Sequence, residues 1–241
     1  MDFDFEVFWQ QLLSPTFAFG ALLALSVATV ALVLSLALGY LLALGRASKY
    51  TAARGVSAVY IWLFRALPAL LVLVVVWNAL PQLIPALRQD WYSPFWAAVL
   101  GLTLVEAAYM AEIVRAALLS VDEGQPLAGR ALGMKPVQVT TKIVFPQAFR
   151  VALPPLSNEF IGLIKFTSLA SVISLRELMT LASAGVANTF RYTEFYSVAA
   201  VYYLVIVSLL MMLQRWLEKK VAWTNVDRKR SSFLRMGSGS K

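Results

Sequence analysis

Four long apolar runs, at about 17–45, 55–80, 94–119 and 195–217, constrain this chain more than any other feature. A helix needs roughly 20 apolar residues to cross the hydrocarbon of a bilayer, and each run supplies them. A further run, RVALPPLSNEFIGLIKFTSLASVISL at 150–175, is less apolar but long enough. Backbone polar groups in hydrocarbon must be satisfied within the segment, so the runs predict an all-α membrane protein with five transmembrane helices. In the fourth of these, 150–175, the polar residues are expected to face protein or water. Composition agrees: of 241 residues 60% are hydrophobic and 14% charged, with a mean hydropathy of +0.71.

The charges set the expected topology. Arg46, Lys49 and Arg54 follow the first run, and Arg130, Lys135, Lys142 and Arg150 fall around the central polar segment. Arg215, Lys219, Lys220, Arg228, Lys229 and Arg230 follow the last. The alternate connections carry only Arg88 in one case and Arg176 and Arg191 in the other. Basic loops stay inside, which places the N-terminus outside and the C-terminus inside. The expected organisation is an extracytoplasmic segment at 1–16, a single transmembrane domain at 17–220 and a cytoplasmic tail at 221–241. In that tail GSGSK at 237–241 reads as an appended scar.

The net charge of +8 and pI near 9.8 do not point to nucleic acid, because Lys and Arg lie between apolar runs rather than on one face. Anionic membrane lipid is the partner they fit, with Arg228-Lys229-Arg230 on headgroups. The chain has no Cys and no His, which removes disulfides, thiolate metal sites and the commonest general base. No metal site is expected. The opening MDFDFE is acidic where a secretory signal carries Lys or Arg. The seven Trp residues, Trp9 and Trp223 among them, mostly read as anchors at the membrane interfaces.

The polar segment VDEGQPLAGRALGMKPVQVTTKIVFPQAF at 121–149 interrupts all this apolar sequence. Locally it predicts two short helices. Pro126 suits the first position of one, and Gly133 suits the left-handed residue that ends it. A second helix is expected to begin near Pro136 and stop before Pro146. Leu127, Ala128, Ala131 and Leu132 give the first helix a small apolar face. Two readings remain open at this point: a loop packed on its own bundle, or a piece that another protein covers.

Ionisable residues inside spans are expensive and mark function. Arg65, Glu106, Glu159 and Lys165 qualify. Glu112 and Arg115, three apart, are expected to pair with each other. Arg65 precedes Ala66-Leu67-Pro68, where the proline should break the helix and free backbone groups. Its guanidinium either grips a substrate carboxylate or pairs with Glu106 or Glu159. Pro154-Pro155 is expected to interrupt the fourth span just before Ser157, Asn158 and Glu159, with Lys165, Thr167 and Ser168 further along. Asn158 and Lys165, seven apart, share nearly one helix face. Two acids and two bases suit a zwitterion.

GQPLAGRALG at 124–133, nine further residues and then IVFP at 143–146 resemble the Glu-Ala-Ala loop of ABC importer permeases. FRALPALLVL at 64–73, YMAEIVRAAL at 109–118, PQAFRVALPPLSNEFIGLIKFTSL at 146–169 and SVISLREL at 171–178 resemble the polar amino-acid branch of that family. The resemblance spans about residues 15–220 and implies the ABC type I importer permease fold. It also implies a function: ATP-driven uptake of a polar amino acid or a derivative such as an opine, with cationic or neutral polar side chains favoured. ATPase coupling then falls to Gly124, Gln125, Leu127, Ala128, Gly129, Gly133 and Pro146, within 120–148. Tyr109 joins the substrate set.

Implied partners are a cytoplasmic ATP-binding subunit in two copies, a second and non-identical permease, and an extracytoplasmic substrate-binding protein. The implied location is the bacterial cytoplasmic (inner) membrane, with several passes. The sequence has no phosphate-binding G-x-x-x-x-G-K-[ST], so no cofactor is expected in this chain, and ATP and Mg belong to the partner. It is therefore expected to be a transport subunit rather than an enzyme.

Three departures stand out: Leu127 where the family usually has Glu, Gly129 for the second Ala, and Phe166 for the Asp of Lys-Asp-Thr-Ser. Those at Leu127 and Phe166 suit one member of a non-identical permease pair, with a structural half that binds no substrate as the alternative. An ATP-independent secondary transporter is the remaining transport alternative, and it would need no docking loop. A membrane enzyme would lack any Ser or Asp pair at catalytic spacing.

Overall fold

The computed structural model describes residues 3–221, and every regular element among them is helical. Trp223, Arg228, Lys229, Arg230 and the end at 237–241 lie outside the described residues. A short α1 (Phe5–Leu12) leads into the long α2 (Pro15–Ala47), followed by α3 (Thr51–Ala66), α4 (Ala69–Val74) and α5 (Leu80–Leu83). Next come α6 (Pro94–Leu119), α7 (Gly124–Ala131), α8 (Pro136–Val139) and α9 (Phe145–Phe166), then α10 (Leu178–Thr189) and α11 (Tyr192–Val221).

Along α2 the buried positions include Gly20, Ala24, Ala28, Ala31, Ser35 and Gly39, small residues every third or fourth place. In lipid, where apolar side chains gain little by leaving one another, such a seam lets two helices approach and pack closely. The helix received there is α6, except at Gly20, which meets Leu178 and Leu181 of α10. It is the hub of the molecule: 67% of its most apolar stretch is buried against protein, compared with 11% for α11. The main core joins Ala28 and Ala31 of α2, Leu73 of α4, Leu102 of α6 and Leu163 and Ile164 of α9.

α2, α6, α11 and the run Pro136–Ile173 are long and apolar enough to cross a membrane; a fifth span is counted if the pair Thr51–Ala66 and Ala69–Leu83 is taken as one. That pair bends by 104°, so the apolar run 55–80 is not one straight rod. Proline disfavours the α conformation in the residue before it, and Leu67 is accordingly extended (φ −81°, ψ 136°). The break expected at Pro68 is present.

Pro154 and Pro155 behave differently. Both lie inside a continuous α9 and do not interrupt it. Packing decides this: Ala148 and Ala152 on the same helix are buried against Ala117 of α6, with Leu156 beside them. A membrane helix tolerates proline where neighbours hold it.

The helix before Gly133 begins at Gly124, two residues ahead of the start expected at Pro126. The Asp122 carboxylate accepts the Gly124 N–H at 2.8 Å and organises an earlier first turn. Pro126 is still in that turn, where no N–H partner is required. Nor does the next helix stop before Pro146. A π turn at Thr140–Val144 joins α8 to α9, and its wider register carries the chain past the proline at the start of α9.

Candidate functional site

Two regions gather the residues singled out by sequence. The first is the surface loop holding α7. Its C-terminus forms a Schellman motif: Met134 N–H donates to the Gly129 carbonyl at 3.1 Å and Gly133 N–H to Arg130 at 2.9 Å. Gly133 sits at φ +77°, a conformation that L side chains rarely adopt. Gly129 is the buried member of the helix. A Cβ there would stand 2.7 Å from Ile143 Cδ1, so the isoleucine of the π turn occupies the space of an alanine methyl. That gives the Gly129 departure a local packing reason.

The remaining face of α7 is open. Leu127 is 60% exposed and Leu132 84%, and Gly124, Gln125 and Ala128 are exposed beside them. Pro146 is half-buried on α9. A bundle that packed this loop onto itself would have covered the two leucines; here they face outward.

The second region lies around the middle of α6. Glu106 is 1% exposed, and its Oε2 has no hydrogen-bond partner; nor has the buried Thr103 Oγ1 one turn earlier. Glu159 of α9 is near enough for the two carboxyl groups to act on each other. Arg65 ends α3, next to the 104° bend, with its guanidinium 5.6 Å from the Tyr109 ring centroid. Arg65 thus meets Tyr109 where α3 packs on α6, and Glu106 lies on the same α6, which also packs on α9, the helix of Glu159. Among the described residues, no ion pair joins Arg65 to Glu106 or Glu159. Arg65 is exposed over an aromatic face. The expected Glu112–Arg115 pair is present at 2.8 Å.

The rest of the polar set is more dispersed. Asn158 is exposed and accepts from Gln214 Nε2 of α11 at 3.1 Å. Lys165 and Phe166 are exposed. Ser157, Thr167 and Ser168 donate to the carbonyls of Leu153, Ile164 and Lys165 in their own chain segment. Thr167 is wholly buried.

Two networks carry no conspicuous sequence signature. The buried Glu177 carboxylate caps α10, accepting from Met179 N–H and Thr180 N–H, and also accepts the Tyr203 hydroxyl at 2.7 Å. An acid immediately ahead of an apolar helix is the available signal for it. The other network ties Asp4 to Arg191 at 2.6 Å and, through the Asp4 N–H, to Glu194 at 3.0 Å. Its members lie 187 and 190 residues apart, so spacing does not reveal them.

Residues 35–223 match the family described as binding-protein-dependent transport system inner membrane component. The chain belongs to this family. The probable amino-acid ABC transporter permease protein PatM of Vibrio harveyi is 40% identical over 82% of this chain and 87% of its own length. The octopine transport system permease protein OccM of Rhizobium radiobacter is 38% identical over 90% of each. The crystal structure of an amino acid ABC transporter with histidines superposes with a TM-score of 0.81 and 31% identity. That match covers 91% of this chain and all of the other. The fold is that of an ABC type I importer permease, and the protein is the permease of an amino-acid ABC importer. Its family acts with ATPase and binding-protein partners in general.

Proposed function

We propose that this permease carries a polar amino acid or amino-acid derivative, with a cationic or neutral polar side chain, across the bacterial cytoplasmic membrane. A separate ATPase drives it through the 120–148 loop. The observation that carries the coupling is α7, a helix of eight residues that presents Leu127 and Leu132 to the outside of the chain. Eight residues are too few to stay helical alone, so this helix needs an apolar partner. The ATPase, in two copies, holds ATP and Mg. Its closure pulls on α7, and the spans rock between outward- and inward-open arrangements. The basic loops lie in the cytoplasm and the N-terminus outside, where a substrate-binding protein delivers the cargo.

Along α6, Arg65 meets the substrate carboxylate, and the acids Glu106 and Glu159 meet its amino or cationic end. Tyr109, Ser157, Asn158, Lys165, Thr167 and Ser168 complete the path as the spans move. Relatives named for amino acids and for octopine support an amphoteric cargo. Leu127 and Phe166 favour a second reading at the level of assembly: this chain is one half of a heterodimer, and its non-identical partner supplies the charged contacts it lacks.

The test is uptake into proteoliposomes holding the permeases, the ATPase and the binding protein. ATP-dependent uptake of arginine, glutamine or octopine that vanadate abolishes is expected. Uptake that ignores vanadate contradicts the coupling. A single permease species copurifying with the ATPase removes the heterodimer.

A further inference from the structure

The structure assigns α1 to the membrane–water interface: it is a strap in the outer-leaflet headgroup region, with one sector on lipid, one in water and one clamped to the α10–α11 corner. At 3.6 residues per turn, positions four apart drift only about 40°, so Phe5, Trp9 and Leu13 form one narrow sector. They are 69%, 54% and 77% exposed. The neighbouring sector holds Glu6 and Gln10, also exposed but polar. The third sector, Val7, Phe8 and Leu12, packs on the cluster of Phe17, Leu178 and Phe195.

The clamp is polar and specific. Arg191 reaches Asp4 at 2.6 Å, the buried Glu194 accepts the Asp4 N–H at 3.0 Å, and the Tyr202 hydroxyl donates to the Leu12 carbonyl at 2.8 Å. Both ends of an eight-residue helix are therefore fixed to α11 or to the turn before it.

Continuity with α2 makes lipid the occupant of the open sector. Only Ser14 separates Leu13 from α2, a helix able to span the membrane, and near its start Phe19 and Leu22 are 70% and 58% exposed. The apolar surface of α1 runs on along the chain into a lipid-facing one. A Trp flanked by a polar sector and an apolar sector is the residue pattern of that boundary. The strap then holds the outer ends of α2, α10 and α11 at a fixed depth while the cytoplasmic side moves. The choice of the outer leaflet rests on the orientation proposed above.

The chain contains no Cys, so single introduced cysteines report cleanly. Nitroxides at Phe5→Cys, Trp9→Cys and Leu13→Cys, in the full transporter in phosphatidylethanolamine–phosphatidylglycerol vesicles, should collide more with oxygen than with a water-soluble nickel chelate. Glu6→Cys and Gln10→Cys should show the reverse. If both reagents are excluded at 5, 9 and 13, a protein covers the sector and the assignment fails. If the chelate dominates there, the sector is in water and the assignment fails too. The three positions duplicate one another, so loss of one variant to misfolding leaves the sector measured. Glu6→Cys in spheroplasts should react with a membrane-impermeant maleimide. Reaction only after permeabilisation overturns the outer-leaflet placement and the orientation, separately from the sector pattern.

Discussion

The chain uses one backbone device twice and treats the two copies differently. A π turn at Val75–Ala79 precedes Pro81, and another at Thr140–Val144 precedes Pro146. The first is braced. Tyr92, itself buried, donates its hydroxyl to the Val76 carbonyl at 2.7 Å, Asn78 reaches the Val74 carbonyl, and Arg88 holds the carbonyls of Pro81 and Gln82. The second is held only within its own segment, by Thr141 on the Val137 carbonyl and Gln147 on the Ile143 carbonyl. It is mostly at the surface, with Thr140, Thr141 and Lys142 exposed, and it touches α7 through Ile143 under Gly129. A wide turn braced by a buried side chain from another part of the chain is a fixed corner. One at the surface, attached to an uncovered helix, can pass on a displacement. Under the proposed coupling, movement belongs to the 120–148 loop and rigidity to the turn between the spans.

The comparison breaks most decisively at Gly133. Gly133→Asp forces a side chain into the left-handed conformation at a cost of about 1–2 kcal/mol and disturbs the end of α7. Uptake should fall about tenfold or more while the protein inserts normally and the ATPase keeps hydrolysing. Normal substrate-stimulated transport in that variant contradicts the coupling role.

Leu132→Asp should act on the same surface without backbone strain. Removing a buried leucine contact costs about 1.5–3 kcal/mol, so the yield of ATPase copurifying with the permease should drop roughly tenfold. An unchanged yield would mean that Leu132 stays uncovered in the assembly.

On the rigid side, Glu106→Gln exchanges the carboxyl for an amide without changing shape. A charge-assisted hydrogen bond contributes about 1.5–3 kcal/mol, so the preference for arginine over glutamine in substrate-stimulated ATPase assays should fall about tenfold. Unchanged preference takes the acid out of the site.

Tyr92→Phe leaves the Val76 carbonyl without its partner, for about 1–3 kcal/mol. Thermal stability should fall, with uptake at 25 °C nearly intact. Abolished uptake in a folded variant would show that the first π turn also moves.

The smallest effect belongs to the α1 clamp. The Val7 N–H and the Arg191 guanidinium hold Asp4 charged and keep its carboxyl below the usual 3.8. The clamp is therefore complete above the ordinary aspartate range and is lost only as pH falls through the lowered value. A nitroxide at Glu6→Cys should show the same mobility at pH 7 and pH 5 and loosen only in more acidic solution. Loosening between 7 and 5 would remove Asp4 as the group responsible.

Spans and the surface helix were legible because their signals are local: apolar length, and Gly133 where only a left-handed residue closes α7. The bend at Pro68 was legible for the same reason. Pro154 and Pro155 carry the same local signal but leave α9 intact, since Ala148 and Ala152 pack against Ala117 and hold it. Arg65 and the two acids stand out in the sequence as costly residues. Sequence could not say that Arg65 lies over Tyr109 rather than in an ion pair, because that depends on the angle at which α3 arrives. The clamp of Asp4 by Arg191 and Glu194 depends on residues 187 and 190 positions apart meeting, which no window reveals.

The central claim is that α7 is where a separate nucleotide-driven subunit grips this permease. A photo-crosslinking side chain at position 132, in membranes holding the whole transporter, tests it directly. An adduct with the ATPase is expected, its yield changing when ATP and vanadate trap the closed state. Adducts confined to lipid or to the permease itself, with no change on trapping, would contradict it.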